Sequence, residues 1–404
     1  MLSTTNSNLA KLKAMKAARD AEKEQDSSVA SRIPGKKETA EASPVKILAV
    51  FGTRPEAIKM APVVLRLKQD KRFECKVCVS GQHRELLDGV LNDFSIVPDH
   101  DLNVMRDGQS FSEVAGKVLI GLDEYLDTYM PDLMLVHGDT ATGTAAALCA
   151  FYRGIPVAHV EAGLRTGLKT SPFPEELNRQ LISRIADLHF APTQGAKANL
   201  IAEGIQDERI IVTGNTSIDA IRLMNIGLPK KAEKRYVIVT CHRKENIQNH
   251  LTEIISSVAE AAKEFPSVEF VYIIHPSPEV RQTVSLIPVP ANFKIMEPVP
   301  YRQMLELMKG CCFMITDSGG IQEEAPALGK PVLLTRDATE RPEAVAAGNV
   351  MIVGTDPANI IYSIRMLLTN EDVYKGMSQF GSPFGDGHAA DAIASVLAEC
   401  FSLV

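Results

Sequence analysis

No apolar stretch of the chain approaches the roughly 18 residues that a membrane-spanning helix requires, and its start has no apolar core of the signal-peptide kind. Basic residues are not in excess either. Lys and Arg number 43 against 50 Asp and Glu, a formal net charge of −7, so there is no overall positive field to hold nucleic acid or an anionic membrane. An anionic ligand must be held by local donors. The cysteines lack the even count of a disulfide framework: seven are scattered from Cys75 to Cys400, which predicts free thiols in a reducing, cytoplasmic setting. No G-x-G-x-x-G follows the first strand-like run, so the usual seat of a nicotinamide cofactor is missing and redox chemistry is disfavoured. Residues 1–44 hold no aromatic residue and no sustained apolar stripe, which predicts a mobile extension. Their six acidic residues count against an organelle transit peptide.

What is present has the balance of a globular protein: 404 residues, 45% hydrophobic and 23% charged, enough for two or three domains with their own cores. From VKILAVF at 45–51 onward, apolar runs of strand length alternate with amphipathic stretches. That rhythm predicts parallel sheets covered by helices on both faces. A polar segment interrupts it and YVIVTC restarts it at Tyr236. The resulting reading is an α/β chain of two doubly wound, Rossmann-like domains facing a cleft, 45–226 and 236–385, joined by a linker at 227–235. A last helical segment, 386–404, is expected to pack back towards the first domain.

Within the second domain, Cys311 to Pro331 reads as a strand, a glycine turn and a helix. Gly319 and Gly320 allow the backbone to approach an anion, and the first helical turn offers free N–H groups at the positive end of the helix dipole. Asp317 and Ser318 are capping residue types. Glu323 and Glu324 would repel a bare phosphate but could accept hydrogen bonds from a ribose diol, so a nucleotide fits this seat better than inorganic phosphate. A tight strand-to-helix connection without a ligand is the plain alternative. The Cys75-x-x-Cys78 pair lies on a strand-like run whose side chains alternate, so the two thiols face opposite ways and cannot share a metal.

Other polar residues gather at strand ends: Arg54 and Lys59, His137 and Asp139, Glu161 and Arg165, Glu175 and Glu176, His242 and Arg243. Each has a plain alternative. Asp139 could serve only as a helix cap, Glu175 only as a first-turn acid, and His242 only as a partner of nearby backbone. Together, carboxylates in one half facing a phosphate seat in the other would set general bases over a sugar whose leaving group is a diphosphate. Transfer or elimination remains.

The segments GTRPEAIKMAP (52–62), QHRELLD (82–88), HGDT (137–140), HVEAGLRTG (159–167), SPFPEELNR (171–179), TGNTSIDA (213–220), DSGGIQEEAPALGKPVL (317–333) and ERPEA (340–344) resemble the non-hydrolysing UDP-N-acetylglucosamine 2-epimerases. The resemblance spans nearly everything but the extension. It implies a glycosyltransferase-B fold, usually dimeric, that interconverts UDP-N-acetylglucosamine and UDP-N-acetylmannosamine with no NAD and no required metal, and supplies activated N-acetylmannosamine for surface polysaccharide synthesis. The implied route removes the C2 proton as UDP leaves C1, giving a 2-acetamidoglucal, and then returns UDP with the proton on the other face. Carried over residue by residue, Asp139, Glu161, Glu175 and His242 fall in the reacting region. Arg54, Lys59, His242, Ser318, Gly319, Gly320, Glu324 and Arg341 fall on the substrate, with Glu324 on the ribose. A weakly acidic C2 proton calls for a desolvated base, and Asp139 and Glu161 are preferred over Glu175.

The resemblance also implies activation by the substrate at an adjoining site, for which Gln82, His83, Gln109 and Arg243 are the candidates. Departures from the family pattern are His242-Arg243-Lys244-Glu245-Asn246 with no following glycine, His275-Pro276-Ser277-Pro278, and Met304 where relatives can place an aromatic ring near uracil. Lysine cannot reproduce the planar fork of arginine, so diphosphate or activator contacts are the features these changes touch. The rival readings are a hydrolysing epimerase, a related UDP-amino-sugar as substrate, a glycosyltransferase on the same fold, and a UDP-sugar sensor without catalysis.

Overall fold

The computed structural model describes residues 43–81, 84–106, 108–227, 234–379 and 381–403. The extension read at 1–44 lies outside them except for its last two residues, and the linker read at 227–235 is described only at its ends.

Among the described residues the strands form two sheets in which every pairing is parallel. The first has seven strands in the order β3 (His100–Asp101), β2 (Phe73–Val79), β1 (Val45–Phe51), β4 (Leu133–His137), β5 (Val157–Val160), β6 (Leu188–Ala191) and β7 (Ile210–Val212). The second has six, in the order β10 (Phe293–Met296), β9 (Val268–Ile273), β8 (Arg235–Thr240), β11 (Met314–Thr316), β12 (Val332–Leu334) and β13 (Val350–Ile352). Continuous apolar runs make this possible. Ile47 to Phe51 of β1 are fully buried, as a central strand covered by helices on both faces requires.

Each sheet is doubly wound, and its strand order reverses once: between β1 and β4 in the first, between β8 and β11 in the second. At such a reversal neighbouring connections leave in opposite directions and open a crevice beyond the carboxyl ends of the strands, where α/β proteins bind ligands. Register fixes what lines these crevices. Thr240 pairs with Thr316 across β8 and β11, their hydroxyls 2.6 Å apart, so the residues just beyond them emerge side by side.

One buried apolar cluster runs from Phe51 and Ala220 in the first unit through Ile321 and Ala325 in the second to Ile393 and Leu397 near the chain end. The terminal helix Ala389–Cys400 packs on the Arg54–Lys68 and Thr216–Met224 helices, both in the first unit. Its opening N–H groups have no partner within the helix, and buried Asp219 accepts two of them, from Ala389 at 3.1 Å and Ala390 at 2.9 Å. Truncating Asp219 to alanine therefore leaves buried donors unsatisfied. The expected loss of stability is about 1–3 kcal/mol, read as a lowered urea midpoint.

Candidate active site

The first crevice is tied together by a carboxyl group. Glu56, buried in the first turn of the Arg54–Lys68 helix, accepts from the Gly52 and Thr53 N–H groups at 3.0 and 2.9 Å and from the Thr140 hydroxyl at 2.7 Å. Burial pushes its pKa up to about 7, against the pull of these donors. It thereby joins the loop after β1 to the loop after β4. Thr140, whose hydroxyl accepts the Gly143 N–H at 2.9 Å, is the cap of the Ala141–Tyr152 helix. Asp139 is thus not needed as a cap, and its carboxylate pairs with Arg179. Burial raises the proton affinity of Asp139, but the Arg179 guanidinium outweighs it and holds the group below its ordinary value.

Glu175 begins the Glu175–Ile185 helix and has one buried carboxyl oxygen with no hydrogen-bond partner. Burial first, and the nearby charge of Asp139 second, push its pKa up. Its neighbour Glu176 has a structural task, accepting the Thr166 and Gly167 N–H groups and pairing with Arg179. Arg165 is likewise engaged away from the cleft chemistry, with Glu203 and Ser183.

Glu161 follows β5 in the left-handed region, at φ 64°, a conformation that L side chains with a Cβ resist. Three neighbours surround its carboxylate. Lys59 pairs with it, the Asn215 amide donates to it at 2.7 Å, and His137 Nε2 stands 3.9 Å away. His137 is buried with neither ring nitrogen hydrogen-bonded, and burial lowers its pKa to about 3, so it is a neutral neighbour.

In the second crevice Ser318 precedes the Gly319–Ala327 helix without capping it through its side chain. Asp317, read from sequence as a capping type, is fully buried and instead clasps the neighbouring loop. It accepts from the His242 and Arg243 N–H groups at 3.1 and 2.9 Å and from the Asn246 amide at 3.0 Å, with His242 Nδ1 at 3.2 Å. The ring of His242 is left 41% exposed beside the helix N-terminus. A Cβ on Gly320 would meet only open space, whereas one on Gly319 would come within 2.7 Å of Arg341 Nη1. Glycine at 319 is what lets that guanidinium lie directly beneath the helix start.

The two adjacent glutamates part company. Glu324 accepts the Tyr301 hydroxyl at 2.9 Å, and burial pushes its pKa up to about 7. Glu323, read as a ribose acceptor, is fully buried and points elsewhere: it meets Lys59 Nζ at 2.8 Å and pairs with Arg341. Arg341 also pairs with Glu340, which in turn meets Arg336 at 3.0 Å and Arg243 at 3.4 Å. Burial opposes the charges of Lys59 and Arg341. In each case the flanking carboxylates outweigh it and hold the group protonated above its ordinary value. Arg54 is partly buried, donates to the Val299 carbonyl at 3.4 Å and has its pKa lowered by burial despite the opposing charge of Glu324.

Of the activator candidates, Gln82 and His83 lie outside the described residues, Gln109 accepts from Lys117 at 3.2 Å, and Arg243 faces Glu340. Met304 is half-buried against the apolar core. Arg179, Asn215, Glu56 and the cross-cleft role of Glu323 were not read from the sequence. Arg179 and Asn215 stood inside the motifs SPFPEELNR and TGNTSIDA, but their partners lie 40 and 54 residues away.

The family described as UDP-N-acetylglucosamine 2-epimerase matches residues 65–398. The UDP-N-acetylglucosamine 2-epimerase of Yersinia pestis is 47% identical over 369 residues, 87% of this chain and 98% of that protein. A solved UDP-GlcNAc 2-epimerase from Neisseria meningitidis, bound to UDP-GlcNAc, is 44% identical with a TM-score of 0.83, covering 88% of this chain and 100% of that one. A spinosyn rhamnosyltransferase, 17% identical with a TM-score of 0.53 over 87% of this chain and 100% of its own, shares the fold alone.

The Arg341 network generates a stability prediction. Arg341→Met leaves Glu323 and Glu340 buried with too little positive charge, and should destabilise the protein by about 3–5 kcal/mol in urea titration. Arg281→Met, which breaks the exposed pair with Glu297, should hardly move the midpoint.

Proposed function

The chain belongs to the UDP-N-acetylglucosamine 2-epimerase family, and from that premise we propose that it interconverts UDP-N-acetylglucosamine and UDP-N-acetylmannosamine without hydrolysing either. One observation carries this reading. The Lys59 ammonium meets Glu161 at the carboxyl end of β5 in the first sheet and Glu323 on the helix of the glycine turn. A diphosphate at that helix N-terminus therefore sets C1 and C2 of its sugar over the carboxylates of the opposite unit.

In the forward step a carboxylate takes the C2 proton while the C1–O bond breaks, and the bonding pair leaves with the β-phosphate oxygen of UDP. The product is a 2-acetamidoglucal beside UDP. In the return step the C2 carbon is protonated on the opposite face and the phosphate oxygen adds back to C1. The N–H groups of Gly319 and Gly320 and the Ser318 hydroxyl, with Arg54, His242 and the charge of Arg341 beneath, stabilise the departing diphosphate. Glu324 takes the ribose. Asp139, Glu161 and Glu175 serve the proton, and Glu175 gains standing from its unpartnered buried oxygen. Two carboxyl groups whose surroundings push their pKa values in opposite directions, as Asp139 and Glu175 are pushed, suit acid and base roles in one site. No NAD and no required metal enter this scheme. We further propose that the enzyme works in the cytoplasm as a source of activated N-acetylmannosamine for surface polysaccharide.

A homodimer is part of the proposal. The Phe111–Leu126, Ala141–Tyr152 and Glu175–Ile185 helices pack side by side and leave Ile120, Phe151, Tyr152 and Leu181 exposed, a face suited to a second copy of the chain. Light scattering after size exclusion should give twice the chain mass, and Tyr152→Glu should lower it to one chain.

The reaction is tested by incubating the protein with UDP-N-acetylglucosamine in deuterated water and following the sugar by NMR. Two intact UDP-sugar epimers carrying deuterium at C2 are expected. Free N-acetylmannosamine as the main product would indicate hydrolysis, and tight UDP binding without exchange would indicate a sensor. Asp139→Asn, Glu161→Gln and Glu175→Gln should each lower exchange by about 100-fold or more while leaving UDP affinity nearly unchanged.

A further inference from the structure

Glu323 is fully buried, away from the open space over Gly320, and gives the seat helix an ionic link to the opposite unit beside its apolar one. Its two oxygens meet Lys59 Nζ at 3.1 and 2.8 Å, and one of them also accepts from Arg341 Nε. Lys59 in turn pairs with Glu161, whose remaining neighbours are Asn215 and His137. Each of these side chains reaches Glu161 or Glu323 from a different part of the chain: Lys59 from the helix after β1, His137 from the end of β4, Asn215 from the cap of the Thr216–Met224 helix, and Arg341 from the second unit, which also carries Glu323.

We propose that Glu323 is a positioning residue that couples the approach of the two units to the readiness of Glu161 as a base, acting through Lys59. The inference rests on the reading that Glu161 moves the C2 proton. A single ammonium shared between two carboxylates neutralises neither completely, so Glu161 retains negative charge with which to attract a proton. The second carboxylate also draws the amine towards the seat helix. Without it, Lys59 has one buried anion to satisfy, and its whole charge falls on Glu161, the group that must remain free. Because Glu323 is carried by the same helix whose N-terminus receives the diphosphate, the seat and the base are brought into register by one rigid element. Arg341 fixes the orientation: its Nε donates to the same Glu323 oxygen that Lys59 meets at 3.1 Å, and its guanidinium lies beside Gly319, so the carboxylate cannot swing out of the bridge without disturbing the phosphate seat.

The role separates from substrate binding and from folding in a kinetic test on the full chain. Glu323→Gln keeps the shape and loses the charge. It should lower kcat for epimerisation, and the rate of C2 deuterium exchange, by about 10- to 100-fold, with KM and UDP affinity within about threefold of the parent protein. Glu323→Asp, which restores the charge with a shorter reach, should recover part of the lost kcat. In a Lys59→Gln background the further change Glu323→Gln should cost less than about threefold, because the route through Lys59 is already cut. A folded Glu323→Gln enzyme with unchanged kcat overturns the inference. So does a parallel loss of UDP affinity, which would make Glu323 a binding residue, or a full additive loss in the Lys59→Gln background. Absence of C2 exchange in the parent protein overturns the functional reading and this inference with it, whereas exchange in the parent with an unaffected variant overturns only the inference.

Discussion

The arrangement of this protein depends on a buried ammonium. Lys59 is withdrawn from water between carboxylates of two units, and a lone charge at that depth would be far too costly to keep. It is tolerated because it belongs to a run of alternating charges: Glu161, Lys59, Glu323, Arg341, Glu340 and Arg336. Each charge in the run has an opposite one on at least one side. Such a run adds little net stability over an apolar core of the same volume, but it penalises every arrangement in which the units meet differently. What it provides is a single relative placement of two ligand-binding edges.

That placement matters because the strained and the costly groups lie along it. Glu161 occupies a left-handed backbone conformation at φ 64°, and a residue with a Cβ holds such a conformation only where its surroundings over-determine it. Here the ion pair to Lys59 and the Asn215 amide supply that constraint. Asn215 is itself pinned, its N–H donating to the Phe384 carbonyl at 2.6 Å from the far end of the chain. The proposed base is therefore held by Lys59 and Asn215 directly, and by Phe384 through Asn215, none of which is local to it in sequence.

This distribution explains what the sequence revealed. The alternation of apolar runs with amphipathic stretches is a local signal, and it made the two doubly wound sheets legible, because buried parallel strands such as VKILAVF differ sharply from their flanking helices. The strand, glycine turn and helix from which a phosphate seat was read were legible for the same reason: they are written in adjacent residues. Asp317 and Glu323 were misjudged because their partners are remote in sequence. A buried aspartate that clasps His242 and Arg243, 75 and 74 residues earlier, looks the same in the sequence as a helix cap. Likewise nothing in the run Gln322-Glu323-Glu324 says that the first glutamate faces a lysine 264 positions away while the second meets Tyr301. The helix geometry separates the two by about 100°, and only the packed fold tells which side is the cleft.

The terminal helix bears on how the molecule comes into being. Its first N–H groups are received by Asp219 and its apolar side lies on helices that begin at Arg54 and Thr216. A ribosome releasing the chain from its amino end makes both of those helices, and then the entire six-stranded unit, before the segment that covers them appears. Until that segment has emerged, Asp219 has no helix to cap and the apolar surface reserved for Ile393 and Leu397 stays open. The unit made first is finished last.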